Sequence, residues 1–271
     1  MKWQELEQHL YNQLKSAGIT EAGLEARMLI QHVDEPKGAE ASDQHRSLLD
    51  SWCARRISGE PMAYILEEKG FYKWTFKVGP GVLIPRPESE LIVEQALQTL
   101  TEPPKTVADL GCGSGILGIC LAKEWPQSEV TAIDSSPIAT QITLENARDL
   151  DVSDRVKVHR SSVSDFLPGS FFDLVVANPP YIANQDKRVE PHVHQFEPHA
   201  ALYAGPLGTE LIREWSRWAY KFLNAGGWWI LEFGAGQKEQ VEEIILSVGF
   251  NKAKICQDLS GIDRVAVCQK P

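Results

Sequence analysis

From Thr106 onward, strand-like segments alternate with helix-like segments, and this alternation constrains the fold more than any other feature. The strand-like segments span residues 106–111, 130–134, 156–160, 171–176 and 227–234, and the helix-like segments span 115–125, 137–150, 208–223 and 237–249. Such alternation is typical of a doubly wound α/β fold, with helices on both faces of a parallel sheet. Two further strand-like segments, 253–259 and 263–269, are joined by a link too short for a crossover helix. We therefore expect a seven-stranded sheet whose last strand is antiparallel.

The part of the chain before this alternation is helical in pattern. Apolar residues recur at spacings of three and four from Trp3, which predicts a first helix. Thr20 and Ser42 are side chains suited to begin a second and a third helix. Residues 70–78 then alternate between two faces and indicate an extended segment. The sequence therefore predicts a small N-terminal helical domain.

We expect two domains. Residues 1–84 form the helical domain together with its connecting extended segment, and residues 85–271 form the α/β domain. The chain of 271 residues is long enough for two modest hydrophobic cores.

The composition of the chain argues against nucleic acid and membranes as binding partners. The net charge of −10 argues against tight sequence-independent binding to nucleic acid, because such binding relies on lysine and arginine at phosphates. No apolar run reaches membrane-spanning length, and the start of the chain lacks the apolar region of a signal peptide. The five cysteines are scattered, with no C-x-x-C. We expect a cytoplasmic monomer with reduced thiols, no membrane contact and no nucleic-acid partner.

A glycine-rich turn, "DLGCGSG", joins the first strand of the alternation to its helix. Gly111, Gly113 and Gly115 permit positive φ angles and close approach of a ligand to the backbone. Gly113, Gly115 and Gly118 satisfy the G-x-G-x-x-G spacing, and Asp134 ends the second strand, where an acid can accept hydrogen bonds from ribose hydroxyls. The alternative is a tight turn without a ligand. The motif alone does not separate a nicotinamide dinucleotide from S-adenosyl-L-methionine.

A second turn, "NPPY", follows the strand at 171–176. Asn178, Pro179, Pro180 and Tyr181 form a stiff strand exit, because consecutive prolines restrict φ and remove two backbone donors. The Asn178 carboxamide oxygen and the Pro179 carbonyl can each accept one N–H of a planar –NH₂ group, while Tyr181 packs against that group. This arrangement favours methyl transfer to nitrogen over hydride transfer, with catalysis by positioning. The alternative is a rigid Pro-Pro turn without a catalytic role.

Several histidines and acids cluster after the NPPY turn, at Glu190, His192, His194, Glu197 and His199. A structural zinc site usually needs four well-placed ligands, often with cysteine. We therefore expect no metal and interpret the segment as a solvated loop over the substrate.

The motifs together resemble a known family. The chain carries, in that family's order, the segments "LEARMLIQHV", "RRISGEPMAYIL", "FYKWTFKVGPGVLIPRPESELIVEQAL", "DLGCGSG", "NPPY" and "FEPHAALYAGPLG". This set is similar to the HemK-type protein-(glutamine-N5) methyltransferases of peptide chain release factors, and the resemblance covers nearly the whole chain. It implies an S-adenosyl-L-methionine-dependent enzyme that methylates the glutamine of the Gly-Gly-Gln motif in class 1 release factors. It further implies that residues 1–84 recognise the substrate and that 85–271 form the methyltransferase domain.

The resemblance also implies roles for individual residues. The methionine and ribose end of the cofactor would be held by the glycine turn, namely Gly111, Cys112, Gly113, Ser114 and Gly115. Asp134 would hold the ribose. Asn178, Pro179, Pro180 and Tyr181 would hold the glutamine amide, with Asn178 also at the cofactor. For the adenine, the family's acidic and apolar pair falls on Ser162 and Val163, which departs from the family pattern. Either these two residues contact adenine or the loop shifts so that Asp165 serves.

Other functions stay open at this point. A ribosomal protein is a competing glutamine-bearing substrate, and the N6 amine of adenine in nucleic acid is a similar planar –NH₂ group that would require base flipping. A non-catalytic nucleotide-binding module is a third class, which the intact NPPY turn disfavours.

Overall fold

The computed structural model describes residues 1–33, 40–186, 188 and 190–271. The chain divides into a smaller unit, Met1–Glu68 with Glu190–Phe196, and a larger unit, Lys69–Val189 with Glu197–Pro271. The segment 69–84, which the sequence analysis grouped with the N-terminal helices, is part of the larger unit. The use of residues 1–84 as a separate functional domain stays a prediction.

The described residues form eleven α-helices and eleven strands. The helices are α1 (Trp3–Ser16), α2 (Ala22–His32), α3 (Asp43–Ile57), α4 (Met62–Leu66), α5 (Glu90–Thr99), α6 (Ile116–Glu124), α7 (Pro137–Asp149), α8 (Pro191–Phe196), α9 (His199–Leu202), α10 (Glu210–Phe222) and α11 (Lys238–Val248). The strands are β1 (Glu68–Phe71), β2 (Trp74–Lys77), β3 (Thr106–Leu110), β4 (Glu129–Asp134), β5 (Val156–Arg160), β6 (Phe172–Ala177), β7 (Ile182–Ala183), β8 (Tyr203–Gly205), β9 (Leu223–Glu232), β10 (Lys254–Gln257) and β11 (Asp263–Gln269). Within the described ranges, no helix combines the length and the apolar character needed to cross a bilayer.

The smaller unit is helical, as the apolar spacing predicts. Leu6, Leu10 and Leu14 of α1 are fully buried and form its core with residues of α2 and α3. Ser42 begins α3 as expected, because its hydroxyl accepts a hydrogen bond from the backbone N–H of His45. The predicted role of Thr20 is wrong: Glu21 is the residue before α2, and no side chain caps that helix.

Seven strands of the larger unit form one sheet in the order β10-β11-β9-β6-β3-β4-β5. Strand β3 pairs in parallel with β4 on one side and with β6 on the other. Strand β11 runs antiparallel to both β9 and β10. These observations confirm the predicted doubly wound sheet and its antiparallel last strand, which inserts between its two neighbours.

Alternate residues of β3 face opposite sides of the sheet, and each side carries helices. Val107 belongs to a core cluster that includes residues of α5 and α6, whereas Ala108 belongs to a cluster that includes residues of α10 and α11. Because side chains alternate along a strand, a central strand covered on both faces must be apolar on both. The run "TVADL" of β3 fits this demand except at Asp109.

The segment after the NPPY turn is more structured than a solvated loop. It contains α8, α9 and the short paired strands β7 and β8. Glu197 is only 3% exposed, and its carboxylate accepts hydrogen bonds from the backbone N–H of Ile84 and from Arg86. The interpretation of this segment as solvated is therefore wrong at Glu197. Its carboxylate joins the segment to the "IPRPESE" stretch more than a hundred residues earlier.

Asn146 of α7 joins three parts of the larger unit. Its side chain is 1% exposed. The carboxamide exchanges hydrogen bonds with the backbone of Lys77, accepting from the N–H at 2.7 Å and donating to the carbonyl at 3.0 Å. It also donates to the carbonyl of Ser114 at 2.8 Å. This one side chain therefore connects β2 and the glycine turn to α7.

Asp109 of β3 is a buried carboxylate. One oxygen accepts a hydrogen bond from the N–H of Gly118 in α6 at 2.8 Å, and the other has no partner among the described residues. Burial raises the pKa of Asp109 from 3.8 to about 7. The folded protein therefore resists ionisation of this group over a range in which the unfolded chain ionises it freely.

Asn146→Ala should destabilise the larger unit by about 2–3 kcal/mol, because buried backbone groups of Lys77 and Ser114 lose their partner. Denaturant unfolding measures the change. Asn224→Ala is the control: Asn224 is exposed and its side chain donates to Asp173, so we expect a change within about 0.5 kcal/mol. Equal effects of the two substitutions would contradict the joining role of Asn146.

Asp109→Asn should remove part of the pH dependence of stability. A raised pKa in the folded state stabilises the protein at low pH, and this contribution is lost as the pH rises from 3.8 to about 7. Wild-type protein should therefore lose stability relative to the variant over that range. Denaturation of both proteins at a series of pH values measures the difference. A difference that stays constant with pH would show that Asp109 ionises as freely in the folded state.

Candidate active site

The topology brings the two predicted turns side by side. Leu110 at the end of β3 pairs with Ile133 of β4 and with Ala177 of β6. Because these strands are parallel, the glycine turn after β3 and the NPPY turn after β6 leave the same edge of the sheet. This is the position at which the strand order of a doubly wound sheet reverses and ligands usually bind.

A cavity of about 300 Å³ opens at this edge. Its lining includes seven of the residues that the sequence analysis selected, namely Gly111, Gly113, Asp134, Ser162, Val163, Asn178 and Pro180. Residues that the sequence analysis missed complete it, namely Gly81, Val82, Leu83, Ser135, Ser136, Ala139, Ser161, Pro198, Ala200, Ala201, Leu211, Glu214 and Trp215. Its volume is at the lower end of the range for small-molecule sites.

The remaining residues of the glycine turn lie behind the lining. Cys112 is buried, and its thiol lies 3.4 Å from the hydroxyl of Thr143 in α7. Ser114 is buried and accepts from Asn146 through its carbonyl. A Cβ at Gly115 would approach Thr143 to 2.7 Å, at a φ of +82°. These three residues therefore attach the turn to α7.

Two glycines of the turn face different surroundings. A Cβ on Gly111 would lie 2.4 Å from the ring of Trp215, so the protein itself requires a glycine there. A Cβ on Gly113 would meet nothing within 4 Å, although its φ of +57° also favours glycine. Since Gly113 lines the cavity, the open space beside it is available to a ligand.

Asp134 connects the glycine turn to the start of α7. Its carboxylate accepts from the N–H of Gly113 at 2.9 Å and from the N–H of Ser136 at 2.8 Å. Burial raises the pKa of Asp134, and these backbone hydrogen bonds act against that rise. The backbone of Ser135 also acts on this carboxylate, and a carboxylate has about four lone-pair positions, so one remains for a ligand hydroxyl group.

Ser162, Val163 and Asp165 lie in the turn after β5, and only the first two line the cavity. Ser162 and Val163 line the cavity, and Val163 is 5% exposed. Asp165 is exposed and accepts a hydrogen bond from the Ser162 hydroxyl at 2.7 Å. The structure therefore puts the first pair on the cavity wall and Asp165 behind Ser162.

Asn178 and Tyr181 contact a pair of polar groups that the sequence analysis did not identify. The Asn178 –NH₂ group donates to the Ser89 hydroxyl at 2.8 Å. The Ser89 hydroxyl donates to the Glu232 carboxylate at 2.6 Å, and the Tyr181 hydroxyl donates to the other oxygen of Glu232 at 3.0 Å. Ser89 is 0% and Glu232 is 1% exposed. A sequence signal existed at Glu232, because an acid at the end of the apolar run "WWILE" is unusual in a buried strand.

The backbone of the NPPY turn is also held from behind. The Tyr181 carbonyl accepts from the side chain of Gln237 at 2.9 Å, and a Cβ on Gly208 would lie 2.6 Å from that carbonyl. Pro179 and Pro180 are buried. The turn is therefore fixed by its own prolines and by the segments that precede α10 and α11.

Trp215 of α10 makes two kinds of contact. It is 7% exposed and packs in the core beneath the sheet edge, but it also lines the cavity. No group of three or more histidine, cysteine, aspartate or glutamate side chains arranged to hold a metal occurs in the part of the chain that the structure describes.

The chain is similar to known methyltransferases in sequence and in fold. The model of the methyltransferase small domain family matches residues 88–205. A solved methyltransferase from Pyrococcus furiosus shares the fold with a TM-score of 0.56 at 17% identity, covering 80% of this chain and 96% of that one. A release factor glutamine methyltransferase of Vibrio cholerae is 37% identical over 265 residues, covering 95% of this chain and 93% of the relative. One from Koribacter versatilis is 38% identical over 234 residues, covering 86% and 82%. This chain belongs to the release factor glutamine methyltransferase family.

Proposed function

We propose that this enzyme transfers a methyl group from S-adenosyl-L-methionine to the side-chain amide nitrogen of a glutamine, the one in the Gly-Gly-Gln motif of class 1 peptide chain release factors. The observation that carries the proposal is the Asn178 carboxamide on the cavity wall, with its –NH₂ group bound to Ser89 and its oxygen left for a ligand. The names of the family relatives support the release factor as substrate.

The cavity fits the cofactor at several points. Open space beside Gly113 admits a ligand against the backbone, and Asp134 keeps a lone pair for a ribose hydroxyl. Ser162 and Val163 offer a polar and an apolar contact for the adenine, and Trp215 and Leu211 extend the apolar wall. When bound, S-adenosyl-L-methionine supplies a methyl group activated by a sulfonium cation. The protein binds this group and orients the nitrogen that receives the methyl.

Residues of the NPPY turn orient the substrate amide. An amide nitrogen is a poor nucleophile because its lone pair is delocalised into the carbonyl. The Asn178 oxygen accepts one N–H of the substrate –NH₂ group, and the Pro179 carbonyl accepts the other. Two acceptors on one nitrogen hold its lone pair toward the methyl group, and Tyr181 packs beside the planar amide. The N–C bond forms as the S–C bond breaks, and the nitrogen releases one of its two protons to water. Catalysis then rests on positioning and polarisation.

The proposed protein substrate is a release factor, and the proposed compartment is the cytoplasm. A Gly-Gly-Gln tip carries no side chain beyond the glutamine, so it can enter a narrow crevice. Residues 1–84 recognise the body of the release factor, and the enzyme acts as a monomer in the cytoplasm, where translation ends. Nucleic acid is not its substrate, in keeping with the net charge of −10.

Gly113→Ala should weaken S-adenosyl-L-methionine binding by roughly tenfold or more, because the new methyl group occupies space that the ligand needs. Isothermal titration calorimetry measures the affinity. Gly261→Ala is the matched control, since Gly261 also has a positive φ and open space but lies outside the cavity lining. Both variants should lose similar stability, and equal cofactor affinities in the two would contradict the assignment of the site.

Asn178→Ala should lower kcat by ~10²-fold or more while leaving cofactor affinity nearly unchanged, because it removes an acceptor for the substrate amide and spares Asp134. Single-turnover methyl transfer together with calorimetry separates the two effects. Wild-type activity in this variant would contradict a catalytic role for Asn178 and leave it only a structural role in the turn.

The substrate itself is tested with radiolabelled S-adenosyl-L-methionine and three separate acceptors, namely a class 1 release factor, ribosomal proteins and DNA. We expect a single methyl on the Gly-Gly-Gln glutamine by mass spectrometry, and no label after that glutamine is replaced. Label found only in ribosomal protein or only in DNA would overturn the release-factor assignment and leave the methyltransferase assignment intact.

A further inference from the structure

Glu232 is a buried carboxylate at the end of β9 that the proposed reaction does not use directly. It has no lysine, arginine or histidine within ion-pair distance among the described residues. Two hydroxyl groups, those of Ser89 and Tyr181, donate to its two oxygens. A buried charge without a cationic partner is costly, and such groups concentrate at functional sites.

The chemistry of these groups sets the direction of each hydrogen bond. An ionised carboxylate accepts and cannot donate. Ser89 has one hydroxyl hydrogen, which goes to Glu232, so its oxygen can only accept from Asn178. Asn178 must therefore turn its –NH₂ group toward Ser89. The carboxamide oxygen is then the atom that remains for a ligand in the cavity.

We propose that Ser89 and Glu232 are positioning residues that fix which end of the Asn178 carboxamide faces the substrate. The inference rests on the proposed function, because it assigns to these residues the orientation of the acceptor that binds the glutamine amide. The reversed carboxamide would present donors to the substrate –NH₂ group, and two sets of donors cannot pair.

Glu232 acts on the second functional side chain of the turn as well. The Tyr181 hydroxyl donates to its other oxygen at 3.0 Å, which fixes the position of that hydroxyl. One carboxylate therefore holds two residues of the NPPY turn from below the cavity. Loss of its charge should disturb both.

Protonation of Glu232 reverses this arrangement. A carboxylic acid carries one donor, which can turn toward Ser89 and release the Ser89 hydrogen toward Asn178. Burial raises the pKa of Glu232, while the hydrogen bonds from Ser89 and Tyr181 and the charge of Arg264 lower it and the charge of Glu88 raises it. Activity that depends on the ionised form is therefore lost as the pH falls through this raised pKa.

Ser89→Ala breaks the connection between Glu232 and Asn178. With saturating cofactor and release factor, kcat should fall by roughly 10²-fold, while cofactor affinity stays within about twofold of wild type. Ser128→Ala is the matched control, because Ser128 is also 0% exposed and its hydroxyl donates to a backbone carbonyl, that of Pro104. The control should lose stability and keep its kcat. Ser89→Thr retains a hydroxyl and should recover most of the activity.

Glu232→Gln tests the direction of the hydrogen bonds without changing the shape of the side chain. A glutamine offers one acceptor and one donor where the carboxylate offers two acceptors, so either Ser89 or Tyr181 loses its acceptor and kcat should fall. The acidic limb of the wild-type profile of kcat against pH should be absent in this variant. Measuring kcat with saturating cofactor separates this limb from protonation of Asp134, whose pKa is also raised by burial.

The outcomes distinguish the inference from the proposed function. Wild-type enzyme that neither binds S-adenosyl-L-methionine nor methylates a glutamine would overturn the proposed function, and the inference with it. Active wild-type enzyme combined with unchanged kcat in Ser89→Ala and Glu232→Gln would overturn the inference alone. Equal losses of kcat in Ser89→Ala and Ser128→Ala would also overturn it, since the effect would then be one of stability.

Discussion

Pairing of β3 with β4 on one side and β6 on the other is the constraint on which the site depends. The strand order reverses at β3, so the turns that follow these three parallel strands leave the sheet edge together. The glycine turn, Asp134 and the NPPY turn are far apart in sequence and adjacent in space for this reason alone. A fold with the same elements in another order would separate the proposed cofactor contacts from the proposed amide contacts.

A second set of contacts ties the stretch before β3 to this edge. Asn146 joins β2 to the glycine turn, Glu197 joins Ile84 to the segment after the NPPY turn, and Ser89 joins Asn178 to Glu232. These contacts are buried and polar, so removing one partner leaves the other unsatisfied. Two of them connect "IPRPESE" to "NPPY" and to "FEPHAALYAGPLG" in the folded chain.

The strands and helices of the sheet could be predicted, because each follows from the pattern of residues within its own segment. Alternating strand and helix patterns predicted the seven-stranded sheet, and the short link before β11 predicted its antiparallel direction. The contact between Ser89 and Glu232 was not predicted, because it joins residues 143 apart; the acid at the end of "WWILE" signals Glu232 but not its partner. Burial of Glu197 was missed for a similar reason, since its partners belong to a distant segment. Local patterns thus predict the scaffold, whereas long-range polar pairs require the structure.

The proposed reaction requires hydrogen-bond acceptors, and no hydrogen-bond donors, where the NPPY turn meets the substrate amide. The prolines of the NPPY turn remove two backbone N–H groups there. Ser89, held by Glu232, occupies the –NH₂ group of Asn178. In the proposed mechanism, the substrate then meets a pair of oxygens, those of the Asn178 carboxamide and the Pro179 carbonyl. Such a surface pairs with the two N–H bonds of a glutamine amide, whereas the oxygens of a glutamate side chain would face acceptors of the same polarity. On this proposal, the charge of one buried carboxylate contributes to the choice of glutamine over glutamate.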